Sequence, residues 1–135
     1  MPFYTLHILT PEKVFFEDTV ESVVLPTIDG EIGVWSSHAL TVVALDTAAI
    51  RIKTKSGWRE AAISGGFAEI KGTEVIVLAD TAEWPEEIEI NRALEDKRRA
   101  EERIFANKSD MEFLQSQVAL KRALTRIKVA NNYKK

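Results

Sequence analysis

Glu83-Trp84-Pro85-Glu86-Glu87-Ile88-Glu89-Ile90-Asn91-Arg92-Ala93 divides the chain, because the residues before it are patterned as strands and turns and those after it as helix. Pro85 fixes its own φ, has no amide hydrogen to donate and biases Trp84 toward extended backbone, so a sheet can end there and a helix begin just inside. Glu86, Glu87 and Glu89 then put negative charge on what reads as the first helical turn, where the helix dipole favours it. The boundary falls between a domain of residues 1–84 and one of residues 85–135.

Working back from it, Phe3 to Ala79 shows short apolar runs of period two or brief continuous blocks, rich in Val, Ile and Phe, which is the pattern of an antiparallel β-sandwich. The expected strands are Phe3 to Leu9, Lys13 to Glu17, Val20 to Pro26, Ile32 to Val34, Leu40 to Leu45, Ala48 to Thr54, Trp58 to Ser64, Phe67 to Lys71 and Glu74 to Leu78. Asp29-Gly30, Ser56-Gly57 and Lys71-Gly72-Thr73-Glu74 read as tight turns, which predicts a meander. Ser64-Gly65-Gly66 reads as a bulge, since it lacks the glycine pattern of a phosphate loop or nucleophile elbow.

Working forward, Ile90, Ala93, Lys97, Ala100 and Ile104 form one helical seam, and Phe113, Gln117, Leu120, Leu124, Ile127 and Asn131 a second. Asn107-Lys108-Ser109-Asp110 interrupts them, with Ser109 or Asp110 placed to cap a helix beginning at Met111. A C-terminal antiparallel two-helix hairpin follows. Alanine-rich seams interrupted by Lys97 and Gln117 predict a hairpin of marginal stability.

Composition excludes several classes. Apolar residues make up 45% and charged residues 29% of the 135, as in an ordinary globular protein. No apolar run is long enough to cross a bilayer and no signal peptide opens the sequence, so the protein is expected in the cytoplasm. Without cysteine there is no disulfide, thiolate nucleophile or cysteine metal site. His7 and His38 are too far apart in sequence, and too few, to suggest a metal centre, and each reads as structural. Asp18 with Glu21, and Asp29 with Glu31, sit near turns and read as solvated surface groups rather than acid and base. No catalytic or metal residue is assigned.

The net charge of −3 is unevenly spread: from Phe113 to the end there is no acid, while Lys121, Arg122, Arg126, Lys128, Lys134 and Lys135 are basic. Such a tail seeks an anionic partner, whether nucleic acid, an acidic protein surface or nucleotide phosphate. Arg92 and Arg99 lie seven apart and Arg122 and Arg126 four apart, so antiparallel packing could gather both pairs around a triphosphate through bidentate hydrogen bonds. Alternatively they are exposed arginines paired with Glu95, Glu102 and similar neighbours.

The sequence resembles the epsilon subunit of bacterial rotary ATP synthases over nearly its whole length. The resemblance rests on Asp29-Gly30-Glu31-Ile32-Gly33-Val34 followed by His38, on Ile63-Ser64-Gly65-Gly66-Phe67, on Val75-Ile76-Val77-Leu78-Ala79-Asp80-Thr81-Ala82, and on Arg92-Ala93 leading into Lys97-Arg98-Arg99-Ala100-Glu101. It implies a non-catalytic rotor subunit of a proton-translocating enzyme, peripheral on the cytoplasmic face of the bacterial cell membrane and associated with it only through the complex. The sandwich would bind the gamma subunit and the c-ring, with Glu31 and His38 near those contacts. The hairpin would inhibit ATP hydrolysis, its basic residues Lys121, Arg122, Arg126 and Lys128 meeting the catalytic alpha and beta subunits.

No cofactor is required by this reading, but ATP enters as a regulatory ligand. The family's ATP motif of Ile or Leu, Asp, two variable residues, Arg and Ala reads here as Ile88-Glu89-Ile90-Asn91-Arg92-Ala93, with Glu89 in place of Asp. Glu83, Arg99, Arg122 and Arg126 match the remaining positions. Ala39 stands where many members have proline. The competing reading is a nucleic-acid-binding module using the basic C-terminal helix, disfavoured by that helix's scarcity of aromatics and by the acidic sandwich.

Overall fold

The computed structural model describes residues 3–35, 40–106 and 109–133. His38, Ala39, Asn107, Lys108, Lys134 and Lys135 lie outside the described residues. The chain forms two compact units, Met1–Glu83 and Trp84–Lys135.

The first unit is a sandwich of strands β1 (Tyr4–Leu9), β2 (Val14–Val20), β3 (Ser22–Thr27), β4 (Gly30–Val34), β5 (Thr41–Ala44), β6 (Ala48–Thr54), β7 (Gly57–Ser64), β8 (Phe67–Ile70), β9 (Glu74–Leu78) and β10 (Thr81–Glu83). One sheet has the order β2-β1-β9-β8-β5 and the other β10-β7-β6-β3-β4. Alternation decides which face is buried: in β1, Tyr4, Leu6 and Ile8 point inward while Thr5, His7 and Leu9 are only partly covered. Leu6, Ile8, Leu25, Ile50, Ile52, Ile70 and Val77 are each 0% exposed and form the core between the sheets. Each large side chain of this kind contributes roughly 1.5–3 kcal/mol.

The predicted meander is not what forms. β1 pairs in parallel with β9, from Thr5↔Glu74 to Leu9↔Leu78, and β3 pairs with β6 and β5 with β8. Turn signals report local hairpins, of which β3–β4, β6–β7 and β8–β9 are real, but they carry no information on these distant pairings. A parallel pair needs a long crossover, and here the strands from β2 to β8 supply it.

Four boundaries also differ from the sequence reading. β2 continues through Asp18 and Thr19, which pair with Leu6 and Thr5, so the break falls at Glu21. Its outward residues are polar because they face solvent, not because the strand ends. Gly65 and Gly66, at φ +61 and +108, are not a bulge; they carry the chain from β7 in one sheet to β8 in the other. At Gly66 a Cβ would lie 1.9 Å from the Leu78 carbonyl oxygen, so only glycine admits this crossing. β10 was unforeseen, being three residues at a sheet edge beside β7. Pro85 opens a 3₁₀ turn, Pro85–Glu87, rather than the long helix. The Trp84 amide donates to Glu87 Oε1 at 2.8 Å, and the turn ends at Ile88 in extended backbone. Glu86 and Glu87 therefore charge this turn and not the helix that follows.

In the second unit, α1 spans Ile90–Phe105 and α2 Asp110–Tyr133. Ser109 caps α2, accepting from the Glu112 amide at 3.1 Å. The α1 seam is as predicted, with Ala93 and Ala100 buried and Ile90, Lys97 and Ile104 partly covered. The α2 seam is as predicted at Phe113, Leu120 and Ile127, which are partly covered, but Gln117, Leu124 and Asn131 are exposed and the buried positions are Ser116, Ala123, Val129 and Ala130. Weighting large apolar residues misled the reading, because this pair is closed by small side chains that let the backbones approach.

Candidate functional site

Because alanines close the hairpin, long side chains flanking the seam are left at its margin and converge there. Arg99 and Arg103 from α1 and Arg122 and Arg126 from α2 line a cavity of about 130 Å³ together with Asp96, over a floor that includes Ala100, Ala119 and Ala123. The lining thus holds four guanidinium groups and one carboxylate. Arg126, with its side chain only 15% exposed, lies 3.6 Å from Asp96 Oδ2. Arg99 stands 3.9 Å from both Asp96 Oδ1 and Glu95 Oε1. Arg103 and Arg122 make no ion pair among the described residues. Guanidinium does not deprotonate in proteins, so the lining stays cationic and attracts a multiply charged anion.

Of the four arginines expected to gather, Arg99, Arg122 and Arg126 do so, while Arg92, exposed on the first turn of α1, does not line the cavity. Arg103 takes that place. Its spacing of four from Arg99 was the available signal. Glu89 is the exposed N-cap residue of α1 without a side-chain cap bond, its carbonyl accepting from the Ala93 amide at 3.0 Å. Ala93 is fully buried. Glu83 belongs to β10 and pairs with Ala62. Lys121 and Lys128 are exposed on α2. Arg98 turns away to Glu95 and Glu102, which holds the Glu95 carboxyl below its ordinary value and the Arg98 guanidinium above its own.

In the sandwich, Glu31 is exposed on β4 with Oε1 3.5 Å from Arg51 Nη2. His7 is structural: Nδ1 lies 2.7 Å from Glu17 and Nε2 3.0 Å from Glu74, tying β1 to β2 and β9. Across the outer face of that same sheet, cross-strand register aligns Val14, Leu9, Leu78, Phe67 and Ala44 in one row. Val14, Leu78 and Phe67 are more than half exposed, as is Val42 two residues from Ala44. This unbroken apolar row was missed because outward and inward positions of β9 are both apolar, which blurs the alternation.

The chain matches the family model for the ATP synthase Delta/Epsilon chain beta-sandwich domain over residues 3–85 and that for its long alpha-helix domain over residues 86–131. It belongs to the ATP synthase epsilon chain family. The ATP synthase epsilon chain of Caldicellulosiruptor bescii is 46% identical over 134 residues, covering 99% of this chain and 98% of that one. That of Ruminiclostridium cellulolyticum is 44% identical over 131 residues, covering 97% and 98%. Among solved structures, a chain of the Euglena gracilis mitochondrial ATP synthase OSCP/F1/c-ring assembly superposes with a TM-score of 0.82 at 20% identity, covering all of this chain and 83% of that one. One from the central stalk and c-ring of the Tetrahymena thermophila enzyme gives 0.59 at 12% identity, covering 98% and 96%. At such identities these two attest the fold. Among the described residues no helix is long and apolar enough to cross a membrane.

Proposed function

We propose that this epsilon chain is a non-catalytic rotor subunit whose hairpin is a nucleotide-sensitive brake. The sandwich joins the gamma subunit to the c-ring of a proton-translocating synthase at the cytoplasmic face of the bacterial membrane. The hairpin restrains ATP hydrolysis by the alpha and beta subunits, and ATP, gathered by the hairpin's arginines, holds it folded.

The observation that carries this reading is the cavity lined by four arginines and one aspartate. Guanidinium forks donate paired hydrogen bonds to phosphoryl oxygens, and a triphosphate carries enough charge to relieve their mutual repulsion. About 130 Å³ suits phosphoryl groups rather than a whole nucleotide, leaving the nucleoside to the segment around Glu89, Arg92 and Ala93 that the family motif implies. A ligand bound only to the folded hairpin stabilises it by about 2.7 kcal/mol at a hundredfold excess over Kd, ample for a helix pair closed by alanines.

Isothermal titration of the full chain with ATP tests the ligand. Saturable heat is expected, with affinity roughly tenfold or more weaker in Arg122→Ala and Arg126→Ala and unchanged in Arg51→Ala. Absence of heat at millimolar ATP would remove ATP from the reading. The apolar row on the sandwich supports assembly through that unit, so a fragment of residues 1–84 should still bind gamma. Deleting residues 108–135 should raise hydrolysis by the assembled enzyme at matched epsilon occupancy.

A further inference from the structure

Four of the six basic residues in the first 80 positions fall within nine residues of the β6–β7 hairpin: Arg51, Lys53, Lys55 and Arg59. They occupy two sides of one rigid turn. The Thr54 hydroxyl donates to the Gly57 carbonyl at 3.1 Å and accepts from the Ser56 amide at 3.2 Å, and Gly57 supplies the φ of +113 that the turn needs. On one side, Arg51 and Lys53 lie 5.8 and 5.9 Å from the ring of Trp58, which is 54% exposed. On the other, Lys55 and Arg59 line a cavity of about 580 Å³ with Phe3, Phe16, Asp18 and Thr19. Lys55 Nζ stands 5.5 Å from the Phe3 ring.

We infer that this open end of the sandwich is a binding site for the phosphodiester headgroup of an anionic phospholipid. The cavity offers cations for a phosphate, a hydroxyl for its glycerol, and aromatic rings for the start of an acyl chain. Its charge selects the ligand. Its lining holds two cations, Lys55 and Arg59, and one carboxylate, Asp18, one of whose oxygens accepts from the Thr19 amide at 2.7 Å. The surplus is one positive charge, which matches a phosphodiester monoanion. The arginine cavity of the hairpin, with a surplus of three, matches a polyphosphate. An exposed tryptophan flanked by cations is the side-chain combination that settles at a membrane interface, and it sits on the opposite side of the same turn. The partner is therefore a surface that meets the turn from its tip. This site is independent of the arginine cavity and of ATP.

Sedimentation of the full chain with vesicles tests it directly. At low ionic strength the protein should pellet with phosphatidylglycerol vesicles and not with phosphatidylcholine vesicles, and added salt should release it. Lys55→Glu and Trp58→Ala should each lower partitioning about fivefold or more, with the far-ultraviolet circular dichroism unchanged. Lys121→Glu and Lys128→Glu should leave it as it is. Titration with glycerophosphoglycerol, the headgroup alone, should move the amide resonances of Thr19, Lys55 and Arg59. Pelleting that depends on the α2 lysines and not on Lys55 would overturn the inference, as would failure to pellet with either vesicle. Amide shifts without pelleting would overturn the membrane as the source of the phosphodiester.

Discussion

The two units of this chain are closed by different chemistry. In the sandwich, strands far apart in sequence meet, as β1 does β9, and the contact is filled by branched side chains with no exposure. In the hairpin, neighbours in sequence meet, and the buried helical positions are Ala93, Ala100, Ser116, Ala123, Val129 and Ala130. Several of the hairpin's larger apolar residues point outward: Phe105 is 96% exposed, and Met111, Leu114 and Val118 are each more than half exposed. Burial worth roughly 0.8 kcal/mol per methylene cannot accumulate at alanines as it does at isoleucines. The lesson is a division of labour in packing: one unit is closed by large buried side chains, the other by small ones that let two helices approach.

The most severe way to break the sandwich is at its sheet crossing. Gly66→Ala would bring a Cβ against the Leu78 carbonyl at a φ alanine avoids, so a loss of roughly 3–5 kcal/mol is expected in denaturant unfolding. No glycine of the hairpin offers a counterpart, since residues 84–135 contain none. Next in size is a matched truncation. Ile52→Ala should cost about 2–5 kcal/mol, whereas Leu124→Ala, at a site 44% exposed, should cost under about 1 kcal/mol. Equal losses at the two positions would mean that the hairpin core had been underestimated and the division drawn above was wrong.

A smaller effect sharpens the comparison from the hairpin side. Ser109 holds the Glu112 amide, and Ser109→Ala should lower the helical stability of α2 by about 1 kcal/mol, read as reduced helix protection in amide hydrogen exchange. In a marginal unit that fraction is large. The same exchange experiment should leave β1 and β9 at full protection, because their opening requires the core to open.

What the sequence disclosed follows the same division. Strand alternation, the glycine turns, the break at Pro85 and the seam of α1 were legible because each is a local pattern. Sheet order was not, since the pairing of Thr5 with Glu74 depends on packing across the whole unit. The α2 seam was partly misread because hydrophobic size was taken as the sign of burial, while close helix approach selected Ser116 and Ala123. Of the arginines expected to gather, Arg99, Arg122 and Arg126 line the cavity and Arg92 does not, while Arg103 lines it without having been singled out by spacing. One residue of rotation on a helix decides such membership, and spacing alone does not resolve it.

The smallest expected effects concern pH, where the two units should weaken at opposite ends of the scale. Tyr4, buried in the sandwich with its hydroxyl donating to the Val34 carbonyl at 2.6 Å, has its ionisation pushed upward chiefly by desolvation of the phenolate. A group whose folded value is raised contributes stability that is complete below its unfolded value and is lost as pH rises toward the folded one. The sandwich should therefore soften above about pH 10, and Tyr4→Phe should flatten that slope. Glu95 is the reverse case: the hydrogen bond and charge of Arg98 lower its value, so its contribution is complete above the ordinary carboxylate value and fades as pH falls through the depressed one. Because this carboxylate is exposed, the acid-side effect should be slight and should vanish in high salt, which screens exposed pairs. Thermal unfolding followed at acid and alkaline pH in wild type, Tyr4→Phe and Glu95→Gln separates the two. If Glu95→Gln altered the alkaline limb, or if the acid limb of the hairpin persisted in molar salt, then surface charge would not be what distinguishes the hairpin from the scaffold that carries it.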